Sequence, residues 1–179
     1  SAIAYAKEME TPSILDIGTG SGAIAIALAR ELENARIVAT DTSLEALEVA
    51  RENAAQLGVA PRIEFVHGDL FADLRGPFDL IVSNPPYVPE SDREEMQSDV
   101  LDYEPQQALF AGVDGLDIIR KLIATTPDYL ADHGKFIFEF GFGQSEAIQG
   151  LIRSSKNLNL VKVVNDLRGI PRVVVVEKK

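Results

Sequence analysis

The chain has 179 residues, 46% of them apolar and 25% charged, which is enough for one substantial hydrophobic core but short for two domains. Its 28 acidic residues against 17 basic ones leave a net charge of −11, the wrong sign for a protein held to a polyanion by many phosphate contacts. The absence of cysteine excludes disulfides, thiolate nucleophiles and cysteine zinc sites, and two histidines, His67 and His133, cannot alone build a metal centre.

No apolar stretch approaches the length of a bilayer span, and Lys7, Glu8 and Glu10 stand where a signal peptide would be apolar, so the sequence reads as cytoplasmic. Short strand-like runs then alternate with longer helical stretches. Ser13–Ile17 predicts a strand and Ala23–Glu33 a helix. Ile37–Thr40 is β-branched and strand-like. Leu44–Leu57 has helical spacing, with Ser43 as N-cap, Glu45 and Glu48 in the first turns and Gly58 as the stop. Ile63–His67 and Phe78–Ser83 predict two more strands, Leu116–Leu130 a helix, Lys135–Phe140 a strand and Ser145–Arg153 a helix. Such alternation predicts a parallel sheet with helices on both faces.

The rhythm breaks at the end of the chain. Leu160–Asn165 and Val173–Glu177 are strand-like, and Asp166–Arg172 between them is too short for a helical crossover, so they should pair antiparallel. Four consecutive valines, Val173–Val176, predict a strand covered on both faces, with Pro171 just before it. Val88–Val113 has little periodicity and reads as a lid or binding loop. Within it, seven acidic residues between Glu90 and Glu104 oppose Arg93, a net of −6 that suits steering of a basic protein partner. His67 and His133 read as a strand end and a turn residue. Phe136, Phe138 and Phe140 alternate as strand packing, and Phe142 and Gln144 just beyond read as a turn, with substrate contact as the alternative.

Chemistry concentrates at the ends of the predicted strands. Asp16-Ile17-Gly18-Thr19-Gly20-Ser21-Gly22-Ala23 runs from a strand into a helix, where the glycines permit a tight turn and close approach of a ligand to bare backbone. Gly18, Gly20 and Ala23 also satisfy the dinucleotide G-x-G-x-x-G/A pattern. Asp16 beside the turn suits a cationic sulfonium ligand better than a pyrophosphate, which prefers amides without a carboxylate nearby. Asp41 ends the second strand at the distance where an acidic residue takes ribose hydroxyls. Asp69 can accept from the exocyclic amine of an adenine while Leu70 packs on the ring. After the fourth strand, Asn84-Pro85-Pro86-Tyr87 freezes its backbone through two prolines, so that the Asn84 side-chain oxygen and the Pro85 carbonyl can face one point. A planar amide or amine nitrogen would donate both N–H groups there, with Tyr87 against its plane.

These residues resemble the class I S-adenosylmethionine-dependent methyltransferases and, within them, the release-factor glutamine methyltransferases of the HemK/PrmC type. The resemblance rests also on Asp102-Tyr103-Glu104-Pro105, Ala108-Leu109, Gly112, Asp114-Gly115 and the terminal Asp166, Gly169 and Arg172-Val173, and the Tyr-Glu-Pro and Asp-Gly segment narrows it to that type. The resemblance implies an α/β, Rossmann-like three-layer sandwich with a seven-stranded, mostly parallel sheet and an antiparallel last strand. It implies S-adenosylmethionine as cofactor, with Asp16, Gly18, Thr19 and Gly20 on its methionine side, Asp41 on the ribose, Asp69 and Leu70 on the adenine, and Asn84 beside it. Asn84, Pro85, Pro86 and Tyr87 would hold the substrate, with Asn84, Pro85 and Tyr87 as the catalytic group and no metal. The implied partner is a peptide chain release factor, methylated on the glutamine side-chain nitrogen of its Gly-Gly-Gln loop. Members of this family normally carry a helical domain and an Arg-Pro-x-Thr-Glu segment before the first strand; residues 1–179 show neither and read as a catalytic domain alone. Three other readings stand beside it: an amino-methyltransferase acting on adenine or guanine of nucleic acid, against which the acidic balance argues, an NAD-dependent oxidoreductase using the Gly18–Ala23 turn, and a non-enzymatic remnant.

Overall fold

In the computed structural model, which describes residues 2–95 and 109–179, the strand-like runs become β1 (Ser13–Ile17), β2 (Arg36–Asp41), β3 (Ile63–His67), β4 (Phe78–Ser83), β5 (Leu130–Glu139), β6 (Leu158–Asn165) and β7 (Pro171–Lys178). The helices are α1 (Ala2–Ala6), α2 (Ala23–Glu31), α3 (Leu44–Gln56), α4 (Asp117–Tyr129) and α5 (Ser145–Ser154). Asp99 and the segment Asp102-Tyr103-Glu104-Pro105, with Ala108, lie outside the described residues.

All seven strands join one sheet in the order β3-β2-β1-β4-β5-β7-β6. The first five run parallel, and β7 lies antiparallel between β5 and β6. The expected three-layer α/β architecture with an antiparallel last strand is therefore the one observed. The valine run explains the position of β7: Val174, Val175 and Val176 are fully buried, as two-sided cover demands. Pro171 opens the strand, where the missing N–H leaves no interior ladder bond unmade.

Strand alternation sorts the core into two layers. Leu15, Ile81, Phe136, Phe138 and Val176 face one side, under Ile119 and Leu122 of α4 and Ile148 and Ile152 of α5. Ile14, Leu80, Val82, Ile137 and Val175 face the other, with Ala25, Ile26, Leu28 and Ala29 of α2. Phe136 and Phe138 stack with centroids 4.6 Å apart. Asp16 shares the parity of Ile14, and so points toward α2.

Two features depart from the sequence reading. Helix α1 was not legible, since five residues are too few to show a period; Ala6 is buried and Tyr5 lies beneath the Lys135 and Lys162 ammonium groups. Strand β5 begins at Leu130 rather than Lys135, because pairing with β4 jumps from Phe78↔Leu130 to Leu80↔Lys135. His133, with φ 60°, sits within that bulge, so the expected turn residue is contained inside a strand. The helix expected over Leu116–Leu130 forms as α4 with Pro127 in its last turn, where only the end of the helix ladder is lost.

The segment after β4 returns on itself. Val88 N–H donates to the Leu109 carbonyl (2.9 Å), Ala111 N–H to that of Val88 (3.0 Å) and Glu90 N–H to that of Gly112 (3.0 Å), a short parallel bridge.

Candidate active site

Chain order reverses between β1 and β4, and in open α/β sheets the crevice at such a switch point, outside the carboxyl ends of the strands, is where ligands bind. The last residue of β2, Asp41, lies at that edge, and the loops after β1, β3 and β4 carry Gly18–Gly22, Asp69–Leu70 and Asn84–Tyr87 to it. The parallel sheet therefore brings Asp16, Gly18, Gly20, Asp41, Asp69, Leu70 and Asn84–Tyr87 to the same edge.

The glycine turn is pinned from several sides. Thr19 N–H donates to the Thr40 carbonyl (2.9 Å), Gly20 N–H to Asp41 Oδ2 (2.9 Å), and Asn53 Nδ2 of α3 to the Ser21 carbonyl (2.9 Å). Gly18 (φ 68°) and Gly20 (φ 55°) take left-handed backbone, and a Cβ on either would meet nothing within 4 Å, so the turn presents bare backbone to open space.

Asp16 is completely buried. Its Oδ2 accepts from the Thr19 hydroxyl (2.7 Å) and the Ala25 N–H (3.1 Å), while Oδ1 has no partner. Burial pushes its carboxyl up to about 6, with the Asp41 charge adding to the rise and the Thr19 and Ala25 hydrogen bonds opposing it. An orphaned buried carboxylate oxygen is expensive unless a donor or cation meets it.

Asp41 uses one oxygen on Gly20 and the other on the Ser43 N–H (2.9 Å), and each oxygen retains a lone pair. Ser43 caps α3 as expected, its hydroxyl accepting from Ala46 N–H. Asp69 is exposed, and Leu70 is half-buried against the core layer under α4 and α5, in left-handed backbone (φ 51°), a conformation strained for leucine.

At the end of β4 the Ser83 hydroxyl, buried, donates to the Ile17 carbonyl (2.8 Å) and locks that strand to the glycine turn of β1. Asn84 comes next, exposed, with no side-chain hydrogen bond among the described residues; Pro85 is buried, and Pro86 and Tyr87 half-buried. Gln144, which closes the turn from Gly141 and stands immediately before α5, reaches back across 57 positions to donate to the Tyr87 carbonyl (2.9 Å). The turn expected there is real, but its side chain belongs to this site. Neither Ser83 nor Asn53 carried a sequence signal, since a lone serine or asparagine at an element boundary has many uses. Asp114 and Gly115, part of the narrowing motif, shape the loop before α4: Asp114 accepts from Leu116 N–H and pairs with Arg120, which holds its carboxyl below the ordinary range. Asp166 accepts from the Arg168 and Ile170 N–H groups and builds the β6–β7 hairpin.

The methyltransferase small domain family, through its model, matches residues 4–112. The chain belongs to that family. It is 45% identical over 172 residues to a release factor glutamine methyltransferase of Bradyrhizobium diazoefficiens, a match covering 96% of this chain and 58% of that protein. It is 44% identical over 173 residues to a bifunctional methyltransferase of Rickettsia felis, covering 96% of this chain and 33% of that one. The chain thus spans between a third and three-fifths of the length of these relatives. Among solved structures, a ribosomal protein L11 methylase of Lactobacillus delbrueckii subsp. bulgaricus superposes with a TM-score of 0.72 at 24% identity, over 99% of this chain and 77% of that one, a likeness of fold. The cofactor of this methyltransferase is S-adenosylmethionine, and the residues present fit it. The unpartnered Oδ1 of Asp16 suits a cation, the bare faces of Gly18 and Gly20 leave room for close approach, and the spare lone pairs of Asp41 suit a diol. No helix of the described residues is long and apolar enough to cross a membrane, and no cluster of metal-ligating side chains occurs among them.

Proposed function

We propose that this chain is the catalytic domain of a release factor glutamine methyltransferase, which transfers a methyl group to the side-chain nitrogen of the glutamine in a Gly-Gly-Gln loop. One observation carries this beyond methyl transfer in general. Asn84 stands at the carboxyl end of β4, beside the glycine turn, with its amide exposed and without a protein partner among the described residues, and Pro85 and Pro86 restrict the backbone between it and Tyr87. The relatives named for release factor glutamine methylation share 41 to 45% identity with the chain.

When bound, the cofactor supplies an electrophilic methyl on a sulfonium. An amide nitrogen is a weak nucleophile because its lone pair is delocalised, so the residues of the chain have to orient it and stabilise positive charge on its N–H groups. Asn84 Oδ1 accepts one N–H and the Pro85 carbonyl the other, while Tyr87 packs on the amide plane. An amide nitrogen that takes up the methyl would lose one proton, and the described residues of the site include no histidine or cysteine to receive it, so the proton would pass to solvent. Asp41 would hold the ribose of the cofactor, and Asp69 and Leu70 its adenine.

The test is transfer of labelled methyl from S-adenosylmethionine to a purified release factor, with RNA and DNA as competing acceptors. Incorporation into the Gly-Gly-Gln glutamine is expected, and methyl found only in nucleic acid would overturn the assignment. Asn84→Ala should lose transfer by at least about 10²-fold, the scale of removing one preorganised polar contact. Calorimetry should show its cofactor affinity nearly unchanged.

A further inference from the structure

We propose that Gln144 is the positioning residue for the methyl acceptor: its side-chain amide locks Tyr87, and through the two prolines Asn84, to the loops after β5 and before α4. The proposal rests on the substrate-holding role proposed for Asn84 and Tyr87. Gln144 Nε2 donates toward three carbonyls, those of Tyr87 (2.9 Å), Asp114 (3.3 Å) and Gly115 (3.4 Å). Its Oε1 accepts from Gly141 N–H (2.8 Å). Only a side chain with both donors and an acceptor at this length satisfies that set. Glutamate would turn an anion on three carbonyl oxygens, and asparagine would fall a methylene short.

The surroundings are cut to the amide. A Cβ on Gly115 would lie 2.2 Å from the Tyr87 carbonyl oxygen and 2.7 Å from Gln144 Nε2, and one on Gly141 would lie 2.9 Å from Gln144 Oε1 and 3.0 Å from the Tyr87 ring. Gln144 is itself fixed, because its carbonyl accepts from Ile148 N–H (3.0 Å) and Ile148 is buried in the core. Asn84 has no side-chain partner of its own among the described residues, yet both of its flanks are tied: Ser83 to the end of β1, and Tyr87 to Gln144. Pro85 and Pro86 between them have fixed φ, so an orientation imposed at Tyr87 reaches Asn84 with little loss. Misplacement of a reacting group by about 1 Å can cost about 10²-fold in rate.

Gln144→Glu and Gln144→Ala test this in the full chain. Hydrogen exchange of peptides spanning residues 84–90 should be at least about tenfold faster in both variants, with β1 and β4 unchanged; equal exchange overturns the lock. Methylation of a release factor, expressed per S-adenosylhomocysteine-binding site so that unfolded protein is not counted, should fall by about 10²-fold in kcat with KM nearly constant. A KM rise at unchanged kcat would make Gln144 a substrate contact instead, and a kcat loss equal to the loss of binding sites would make it merely structural; either overturns the proposal. Should the wild-type chain transfer no methyl to glutamine, the proposed function falls, and the exchange measurement still decides the lock.

Discussion

Asp16 is the residue whose chemistry most depends on what occupies the crevice. Its ordinary carboxyl value of 3.8 rises to about 6 through burial first, with Asp41 adding to it, so the fold favours the neutral form. The contribution of that neutral form is therefore fully present below about pH 4 and is lost as pH rises through about 6. Asparagine at this position imitates the protonated side chain without titrating. Between pH 4 and 7, without cofactor, wild type should lose stability relative to Asp16→Asn by up to roughly 3 kcal/mol, read from urea midpoints, and a constant difference would contradict the shift. A cation at Oδ1 draws the proton away, so cofactor affinity should weaken below about pH 6 in wild type and not in the variant. The strand-end acids and Asn84 were legible in the sequence because motif spacing flags them. Gln144 was legible only as a turn residue or a substrate contact; its bracing of Tyr87 was not, because its carbonyl partners lie 29 to 57 positions away and only the folded topology makes them neighbours.

Among the elements, the loop between the Val88 bridge and α4 combines left-handed backbone with close neighbours. Gly112 and Gly115 have φ of 79° and 72°. Left-handed backbone alone does not make a glycine irreplaceable, as Gly58 shows: it has φ 72° but a Cβ there would meet nothing within 4 Å. Gly58→Ala should therefore cost only about 1 kcal/mol. Gly115→Ala adds a Cβ 2.2 Å from the Tyr87 carbonyl, so a larger fall in urea midpoint and loss of methyl transfer are expected; equal costs at the two positions would show that the loop simply moves aside. Most element positions followed from hydrophobic period and turn chemistry. What escaped was set by partners distant in sequence: the early start of β5 comes from Phe78↔Leu130 pairing, and α1 from contacts of Tyr5 and Ala6 rather than from any period.

Across the whole molecule, one sheet carries both core layers, and no described strand belongs to a separate unit. Unfolding should accordingly be a single transition, with far- and near-ultraviolet circular dichroism coincident. Phe138→Ala, at the centre of the α4 and α5 layer, should shift that one transition by about 3–5 kcal/mol, whereas Leu167→Ser at the exposed tip of the β6–β7 hairpin should move it by less than about 0.5 kcal/mol. Separate transitions by the two probes would show that the layers unfold independently. The bridge between Val88 and Phe110 has a consequence of another kind. By holding its two legs side by side, it fixes the entry and exit of the intervening chain whatever that chain contains, and doubling such a loop costs only about 0.6 kcal/mol in closure entropy. The stretch between the legs is in effect a cassette. Exchanging it should therefore leave the glycine turn and the ends of β1 and β2 as they stand, read as an unchanged affinity for S-adenosylhomocysteine.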